Sequence, residues 1–173
     1  GWAGALSPFA SAAAAPTLAA TPAGASLTAV ELSSAALSWS ANGSPAGTRF
    51  AVQLSTDDFA TLSASSSTLL TSATFFGLLS NATYYLRVQA LSHALAATGF
   101  AVGPATATPP ALPVSAQPSA VAAAAFQANW SANGNAPLTT RYEAELSTDA
   151  FATLNESSAT FNAAAGFGGL LSN

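Results

Sequence analysis

The chain has 173 residues, of which only 6% are charged, and its net charge of −4 includes three basic residues, all of them arginine. Ordinary globular domains have about 25% charged residues, and a nucleic-acid surface requires clustered lysine and arginine, so this composition excludes nucleic acid as a partner. There is no cysteine, which excludes disulfides and thiolate metal sites, and no apolar run of about 18 residues that would predict a membrane span.

The first segment, residues 1–21, precedes the repeated part of the chain. Its stretch Gly1–Leu18 resembles Gly99–Leu112, since both begin with glycine and an aromatic residue and both have a proline shortly before a leucine. We therefore predict a strand or linker, with the role of the last strand of a preceding or neighbouring domain. Trp2 has no place in either core predicted below.

Two copies of one unit make up the rest of the chain. The motif "WSANG" returns 91 positions after its first occurrence at Trp39, and "GLLSN" returns 92 positions after its first occurrence, which ends at Asn81. A unit of this length is a small domain, because solenoid repeats span about 20 to 50 residues. We predict a complete domain at residues 22–110 and an incomplete one at residues 111–173.

Apolar residues alternate with polar ones within each unit, as expected for strands with one buried face. The alternation is clearest in Leu37–Trp39, Phe50–Leu54 and Tyr84–Ala90, and turn-forming residues separate these segments. Short strands at this spacing, with no convincing long helix, predict an all-β antiparallel sandwich. The four prolines of Thr108–Val121 predict a short, stiff linker between the units.

The first unit resembles the fibronectin type III domain. Trp39 stands where that family has its core tryptophan on the second strand, and Leu78 precedes Tyr84 by six residues, as in the family's tyrosine corner. The resemblance covers the first unit in full and the second in part. It implies an all-β fold class with two tandem immunoglobulin-like (fibronectin type III) β-sandwiches.

The second unit departs from the family pattern at its end. It keeps Trp130 and Leu170, but counterparts of Tyr84–Ala90 and Gly99–Thr108, which hold the family's last two strands, are missing. The resemblance therefore implies that the second sandwich lacks its last strands, which leaves the strand Tyr142–Leu146 as an unpaired edge.

Two explanations account for the missing strands. In the first, which we favour, the chain is a segment of a longer tandem array. In the second, Gly1–Leu18 of another subunit completes the second sandwich by strand addition, which builds head-to-tail polymers. No other segment of the chain matches the Tyr84–Ala90 strand, so one donated strand would leave the sandwich a strand short.

No pattern in the sequence predicts catalytic, cofactor-binding or metal-binding residues. His93 is the only histidine, and a lone histidine in a chain without cysteine is a poor candidate for catalysis or metal binding. Asp57 and Asp58 are adjacent, but the second unit has Asp149 followed by alanine. This favours a turn in which Asp57 and Asp149 bond to nearby backbone, with a weak calcium contact as the less favoured alternative.

Three Asn-x-Ser/Thr sequons, at Asn42, Asn81 and Asn155, are candidate glycosylation sites. Asn42 and Asn81 fall in predicted turns, where a modifying enzyme would reach them. A fourth sequon at Asn129 is less favoured because it flanks the predicted core residue Trp130. Covalent glycans would cover a surface that has few charges to prevent association.

These features favour a non-enzymatic structural or adhesive repeat module located outside the cell or on its surface, as in a bacterial-type fibre, sheath or adhesin. Such a fibre or filament would assemble head to tail or from a longer tandem array. The expected partners are neighbouring repeats or subunits and covalent glycans, with no cofactor. The alternative is a carbohydrate- or protein-binding accessory module of a larger secreted enzyme, which exposed aromatic residues on one loop face would favour. The sequence instead predicts that almost all aromatic residues lie in the core.

Overall fold

The computed structural model describes residues 17–171, and within them the chain forms thirteen β-strands and no helix. This part of the chain therefore contains no helix that could cross a membrane. The strands are β1 (Ala23–Val30), β2 (Ser34–Ser40), β3 (Arg49–Ser55), β4 (Ala64–Thr68), β5 (Ser72–Phe76), β6 (Thr83–Leu91), β7 (Ala101–Val102), β8 (Thr106–Ala107), β9 (Val114–Ala122), β10 (Ala125–Ser131), β11 (Tyr142–Leu146), β12 (Glu156–Thr160) and β13 (Ala164–Gly168).

The first unit is a sandwich of two antiparallel sheets. One sheet has the order β1-β2-β5 and the other the order β4-β3-β6-β7, with β8 also paired to β6. Alternate residues of β2, β3 and β6 are buried, which confirms the predicted all-β sandwich. The large side chains that are least exposed are Leu37, Leu54, Leu86, Val52 and Val88.

The last strand of the first unit is broken into two short pieces, where the sequence predicted one strand within Gly99–Thr108. β7 and β8 have two residues each, and Gly103 lies between them. The Gly103 amide donates a hydrogen bond to the Leu86 carbonyl oxygen (3.0 Å), and a Cβ atom at Gly103 would lie 2.7 Å from the Ala25 carbonyl oxygen. This close approach of β1 leaves room for glycine alone.

The second unit repeats only part of the first. Its two sheets have the orders β13-β10-β9 and β11-β12, which correspond in sequence to β5-β2-β1 and β3-β4. Within residues 17–171, no strand of the second unit occupies the positions of β6, β7 and β8. The expected unpaired edge is present within residues 17–171, because among them β11 pairs with β12 alone, whereas β3 pairs with both β4 and β6.

The connection between the units is shorter than predicted. The sequence predicted a stiff linker over Thr108–Val121, but Val114–Ala122 forms β9. Pro118 is compatible with this strand because β9 lies at the edge of its sheet, where a missing backbone N–H is tolerated. The linker is therefore confined to residues 108–113.

Candidate functional site

The second unit has a groove between its two sheets, with a volume of about 750 Å³. Its walls include Phe126 and Trp130 of β10, Tyr142 and Ala144 of β11, and Phe167 of β13. These residues occupy the inward positions of the sandwich, so the groove is the apolar core of a unit that is not closed.

The groove lies where β6 completes the core of the first unit. Val52 and Leu54 of β3 are fully buried beside β6. Their counterparts on β11, Ala144 and Leu146, are only half-buried. On the other sheet, β9 is exposed along its whole length, whereas β1 contacts β6 and β7. We call the unpaired edge of β11 together with this groove the β11 docking surface, because such an edge accepts an added strand.

The tryptophans predicted as core signatures make the same contact in both units. Trp39 and Phe50 meet edge to face with ring centroids 5.7 Å apart and an interplanar angle of 64°. Trp130 and Tyr142 meet at 5.6 Å and 61°. The second unit is therefore packed as a sandwich as far as its described strands extend. The indole Nε1 atoms of both tryptophans are buried without a hydrogen-bond partner among residues 17–171.

The other predicted signature residues form the turn before β6 and its repeat. The Leu79 amide donates a hydrogen bond to the Tyr84 hydroxyl oxygen (2.9 Å), which is the geometry of a tyrosine corner. Leu78 is buried, and Leu170 at the repeated position is half-buried and donates its amide hydrogen bond to the Ala124 carbonyl oxygen (2.9 Å).

Arg87 lies between two phenylalanine rings on the outer face of the β3–β6 sheet. Its guanidinium carbon is 4.1 Å from the Phe59 ring centroid and 4.2 Å from that of Phe100. Its Nε donates a hydrogen bond to Oε1 of Gln53 (2.7 Å), so cation–π contacts and a polar bond hold the side chain. This cluster was not predicted, because its members lie in separate segments of the chain and no local pattern shows that these segments meet.

A pair of backbone hydrogen bonds joins the two units. The Ser80 amide donates to the Gly134 carbonyl oxygen (2.9 Å), and the Ala136 amide donates to the Ser80 carbonyl oxygen (2.8 Å). Asn81 Nδ2 also donates to Thr140 Oγ1 (3.0 Å). We call these contacts the inter-unit joint. Ser80 and Thr140 are buried, so water does not compete freely for these bonds.

Asn135 anchors the linker next to the joint. Its Oδ1 accepts a hydrogen bond from the Ala111 amide (2.7 Å), and its Nδ2 donates to the Ala111 carbonyl oxygen (2.8 Å). Asn135 is only 5% exposed. A buried amide with both ends bonded sets the path of the linker, since leaving either end unpaired would carry the full desolvation penalty.

The sequons lie in different environments. Asn42 and Asn155 are exposed, whereas Asn81 is half-buried with its Nδ2 bonded to Thr140 in the inter-unit joint. Asn129 Nδ2 donates to Ser119 Oγ across the β9–β10 pair (2.6 Å). Glycosylation at Asn42, Asn81 and Asn155 stays a prediction.

Asp57 and Asp149 build the same turn in the two units. Hydrogen bonds from the Ser55 hydroxyl and from Thr61 lower the pKa of Asp57 from an ordinary value of 3.8 to about 2. Hydrogen bonds from the Ser147 hydroxyl and from the backbone and side chain of Thr153 lower the pKa of Asp149 in the same way, to about 2. The bonds give both aspartates a structural role in their turns.

His93 and the acids do not gather into a metal site. His93 is exposed, and no group of three or more His, Cys, Asp or Glu side chains within residues 17–171 could hold a metal ion.

The prediction that almost all aromatic residues lie in the core is wrong. Phe76, Phe151 and Phe161 are 78%, 63% and 53% exposed. Phe76 points outward because it follows the buried Phe75 on β5, and the other two lie in connections between strands, where the alternation of the strands does not apply.

Comparison with known proteins identifies the fold. Residues 20–98 match the family model of the fibronectin type III domain. A two-domain fibronectin type III segment of chicken tenascin superposes with a TM-score of 0.54 at 11% identity, over 88% of this chain and 85% of that chain.

A structure of domains from titin matches at 18% identity and a TM-score of 0.47, over 54% of this chain and 33% of that one, so the chain spans about a third of its length. The search of curated proteins found no match. Residues 20–98 of the first unit therefore match the fibronectin type III family, and the chain has the fold of two tandem fibronectin type III β-sandwiches, the second of which lacks its last strands within the described residues.

Proposed function

We propose that the chain is a non-enzymatic structural and adhesive module of an extracellular or cell-surface protein, and that it forms part of a fibre or filament. The observation that carries this proposal is the inter-unit joint. Ser80 bonds to the Gly134–Ala136 turn through two backbone hydrogen bonds, and buried side chains flank them. A joint of this kind holds successive domains at a set spacing, which is what a fibre built of repeats requires.

The start of each unit carries a similar polar turn that anchors the segment before it, which supports units that follow one another in an array. In the second unit, Asn133 Nδ2 donates to the Leu112 carbonyl oxygen (2.9 Å). In the first unit, Asn42 Nδ2 donates to the Thr21 carbonyl oxygen (2.9 Å). Ser44 Oγ further accepts a hydrogen bond from the Ala20 amide (2.9 Å), as Asn135 does from the Ala111 amide. The proposed domain bounds are residues 22–110 and 111–173, with residues 1–21 as a preceding strand or linker.

The β11 docking surface supports strand addition between neighbouring repeats or subunits. An unpaired strand edge beside an apolar groove is the arrangement that an incoming strand stabilises, through backbone hydrogen bonds and alternate buried side chains. Gly1–Leu18 remains a candidate donor for the outer strand position, and residues 1–16 of it lie outside the described residues.

Assembly in solution tests this proposal. We expect the purified chain to form ordered oligomers or filaments as its concentration rises, measured by light scattering and electron microscopy. Ala144→Lys places a charge in the groove and should abolish assembly. The matched control Ala159→Lys adds the same side chain at an exposed position of β12 and should assemble as the unaltered chain does. A chain that stays monomeric at every concentration would refute self-assembly.

Glycans on Asn42, Asn81 and Asn155 are part of the same proposal, because they would shield a surface with 6% charged residues. Asn81 is half-buried in the inter-unit joint, whereas Asn42 and Asn155 are exposed, so we expect Asn42 and Asn155 to be modified first. Mass spectrometry of the chain from its natural source tests this. Unmodified masses for the peptides that contain Asn42, Asn81 and Asn155 would exclude modification.

The alternative is a carbohydrate- or protein-binding accessory module of a larger secreted enzyme, and the exposed phenylalanines favour it. Phe76 belongs to the first unit and Phe161 to the second, so each would act as a separate contact. Phe76→Ala and Phe161→Ala should then lower binding to an array of polysaccharides. Unchanged binding, or none in any variant, would exclude this role.

A further inference from the structure

We infer that the strand received by the β11 docking surface carries an arginine on its outer face. The side chain of this arginine lies beside Phe151 and Glu145. This inference rests on the strand addition proposed above and defines the chemistry of the incoming strand. The occupant is an extended segment of the β6 type, in which apolar residues point into the groove and arginine points the other way.

The first unit supplies the template for this assignment. β6 covers β3 and places Tyr84, Leu86, Val88 and Ala90 in the core. Between them, Arg87 faces outward and is held by three partners on the outer face of the sheet. One of these partners, Gln53, lies directly opposite Arg87 in the β3–β6 register.

The second unit repeats the turn that positions the first aromatic partner. The Phe59 amide donates to Ser55 Oγ (2.9 Å) and Phe59 has a φ of 67°. The Phe151 amide donates to Ser147 Oγ (2.9 Å) and Phe151 has a φ of 65°. Because the two turns share these bonds and this backbone conformation, Phe151 takes the position in the second unit that Phe59 has beside Arg87 in the first.

Within the described residues of the second unit, no cation lies against the Phe151 ring. Phe59 is half-buried against Arg87, whereas Phe151 is 63% exposed. Both β11 acids, Glu143 and Glu145, are also exposed. An exposed aromatic ring and a carboxylate at the two repeated positions that hold Arg87 in the first unit attract a guanidinium group.

Glu145 stands in the second unit where the first unit has Gln53, and this difference strengthens the preference for a cation. Gln53 bonds Arg87 through a neutral amide oxygen, and the same position of β11 carries a carboxylate. A charged acceptor forms a shorter and stronger hydrogen bond with arginine than a neutral one does. Gly1–Leu18 contains no arginine or lysine and cannot supply this cation, in agreement with its proposed place at the outer strand position.

Peptide binding to the full chain tests the inference. The probe is a synthetic peptide with the sequence of residues 82–91, compared with the same peptide carrying Arg87→Gln. Calorimetry and tryptophan fluorescence report binding, since Trp130 lines the groove. We expect the arginine peptide to bind about tenfold more tightly than the glutamine peptide, from the combined cation–π and charge-assisted contacts.

Variants of the chain locate the effect. Phe151→Ala and Glu145→Gln should each weaken the arginine peptide severalfold and leave the glutamine peptide unchanged. Phe161→Ala, at another exposed phenylalanine of the second unit, is the matched control and should change neither. Equal binding of the two peptides in every variant would overturn the arginine assignment and leave strand addition standing. If neither peptide binds, both the assignment and the proposed strand addition are wrong.

Discussion

Asp57 and Asp149 illustrate how single residues repeat their role in the two units. Each accepts hydrogen bonds from a serine two positions before it and from a threonine four positions after it. The predicted turn chemistry therefore matches the bonds that form. The reason is that a short polar side chain reaches only its neighbours in sequence, so its partners can be anticipated locally.

The two aspartates should make stability depend on pH below about 4. Their pKa values are lowered from 3.8 to about 2 in the folded chain, so their stabilisation is complete above pH 3.8 and is lost as pH falls through about 2. Denaturant unfolding of the chain and of the double variant Asp57→Asn, Asp149→Asn should show this. The stability difference at pH 5 should shrink as pH falls and be lost below about pH 2. A difference that is constant over this range would contradict the assignment.

The tyrosine corner should contribute measurably to the first unit. Tyr84→Phe removes the acceptor of the Leu79 amide hydrogen bond and should lower the free energy of unfolding by about 1 kcal/mol. Tyr85→Phe is the control, because Tyr85 points to the other face of β6 and is half-exposed. Chemical denaturation followed by tryptophan fluorescence measures both. Equal losses in the two variants would show that the corner bond has no special role.

At the level of elements, the inter-unit joint depends on a difference between the two polar turns. Ala136 supplies the amide that donates to Ser80, and the first unit has Pro45 at the same place in its turn. Proline has no amide hydrogen, so the first unit cannot receive a preceding domain through the same pair of bonds. The joint is therefore complete only on the second unit, within the described residues.

Ala136→Pro should loosen the joint without unfolding either unit. Pro45 shows that the turn accepts proline, so the variant removes one backbone hydrogen bond, worth about 1 kcal/mol. NMR relaxation should then report more independent tumbling of the two units. Pro45→Ala, at the repeated position outside the joint, should leave tumbling unchanged. Identical relaxation in Ala136→Pro would mean that the remaining contacts hold the units alone.

At the level of the whole molecule, the two units differ in how completely they are closed. In the part of the chain that the structure describes, β3 is paired on both edges, whereas β11 is paired on one. Few buried contacts and open backbone groups mark the least stable parts of a protein. The second unit should therefore open more readily than the first.

Hydrogen exchange should detect this difference. Amides of β11 on its unpaired edge should exchange at least about a hundredfold faster than those of β3 in the same chain. Adding the residue 82–91 peptide should slow exchange in β11 and leave β3 unchanged. Equal protection of the two strands without peptide would show that another element already covers β11.

Much of the fold was predictable because burial in a strand alternates residue by residue. The alternation in Phe50–Leu54 and Tyr84–Ala90 predicts which side chains are buried, and the repeated motifs predict two units. The positions of Pro118 and Gly103 were not predicted. Whether proline lies in a linker or on an edge strand, and whether a strand breaks, depends on which neighbours approach it.

The sequence by itself determined the all-β class, the two units and the unpaired edge of the second, because these follow from local periodicity and from comparing one copy with the other. Only the tertiary structure decided the inter-unit joint and the stack around Arg87. Both bring together residues that are far apart in the chain. Contacts between distant segments depend on how the sheets pack, and that packing leaves no periodic signal in the sequence.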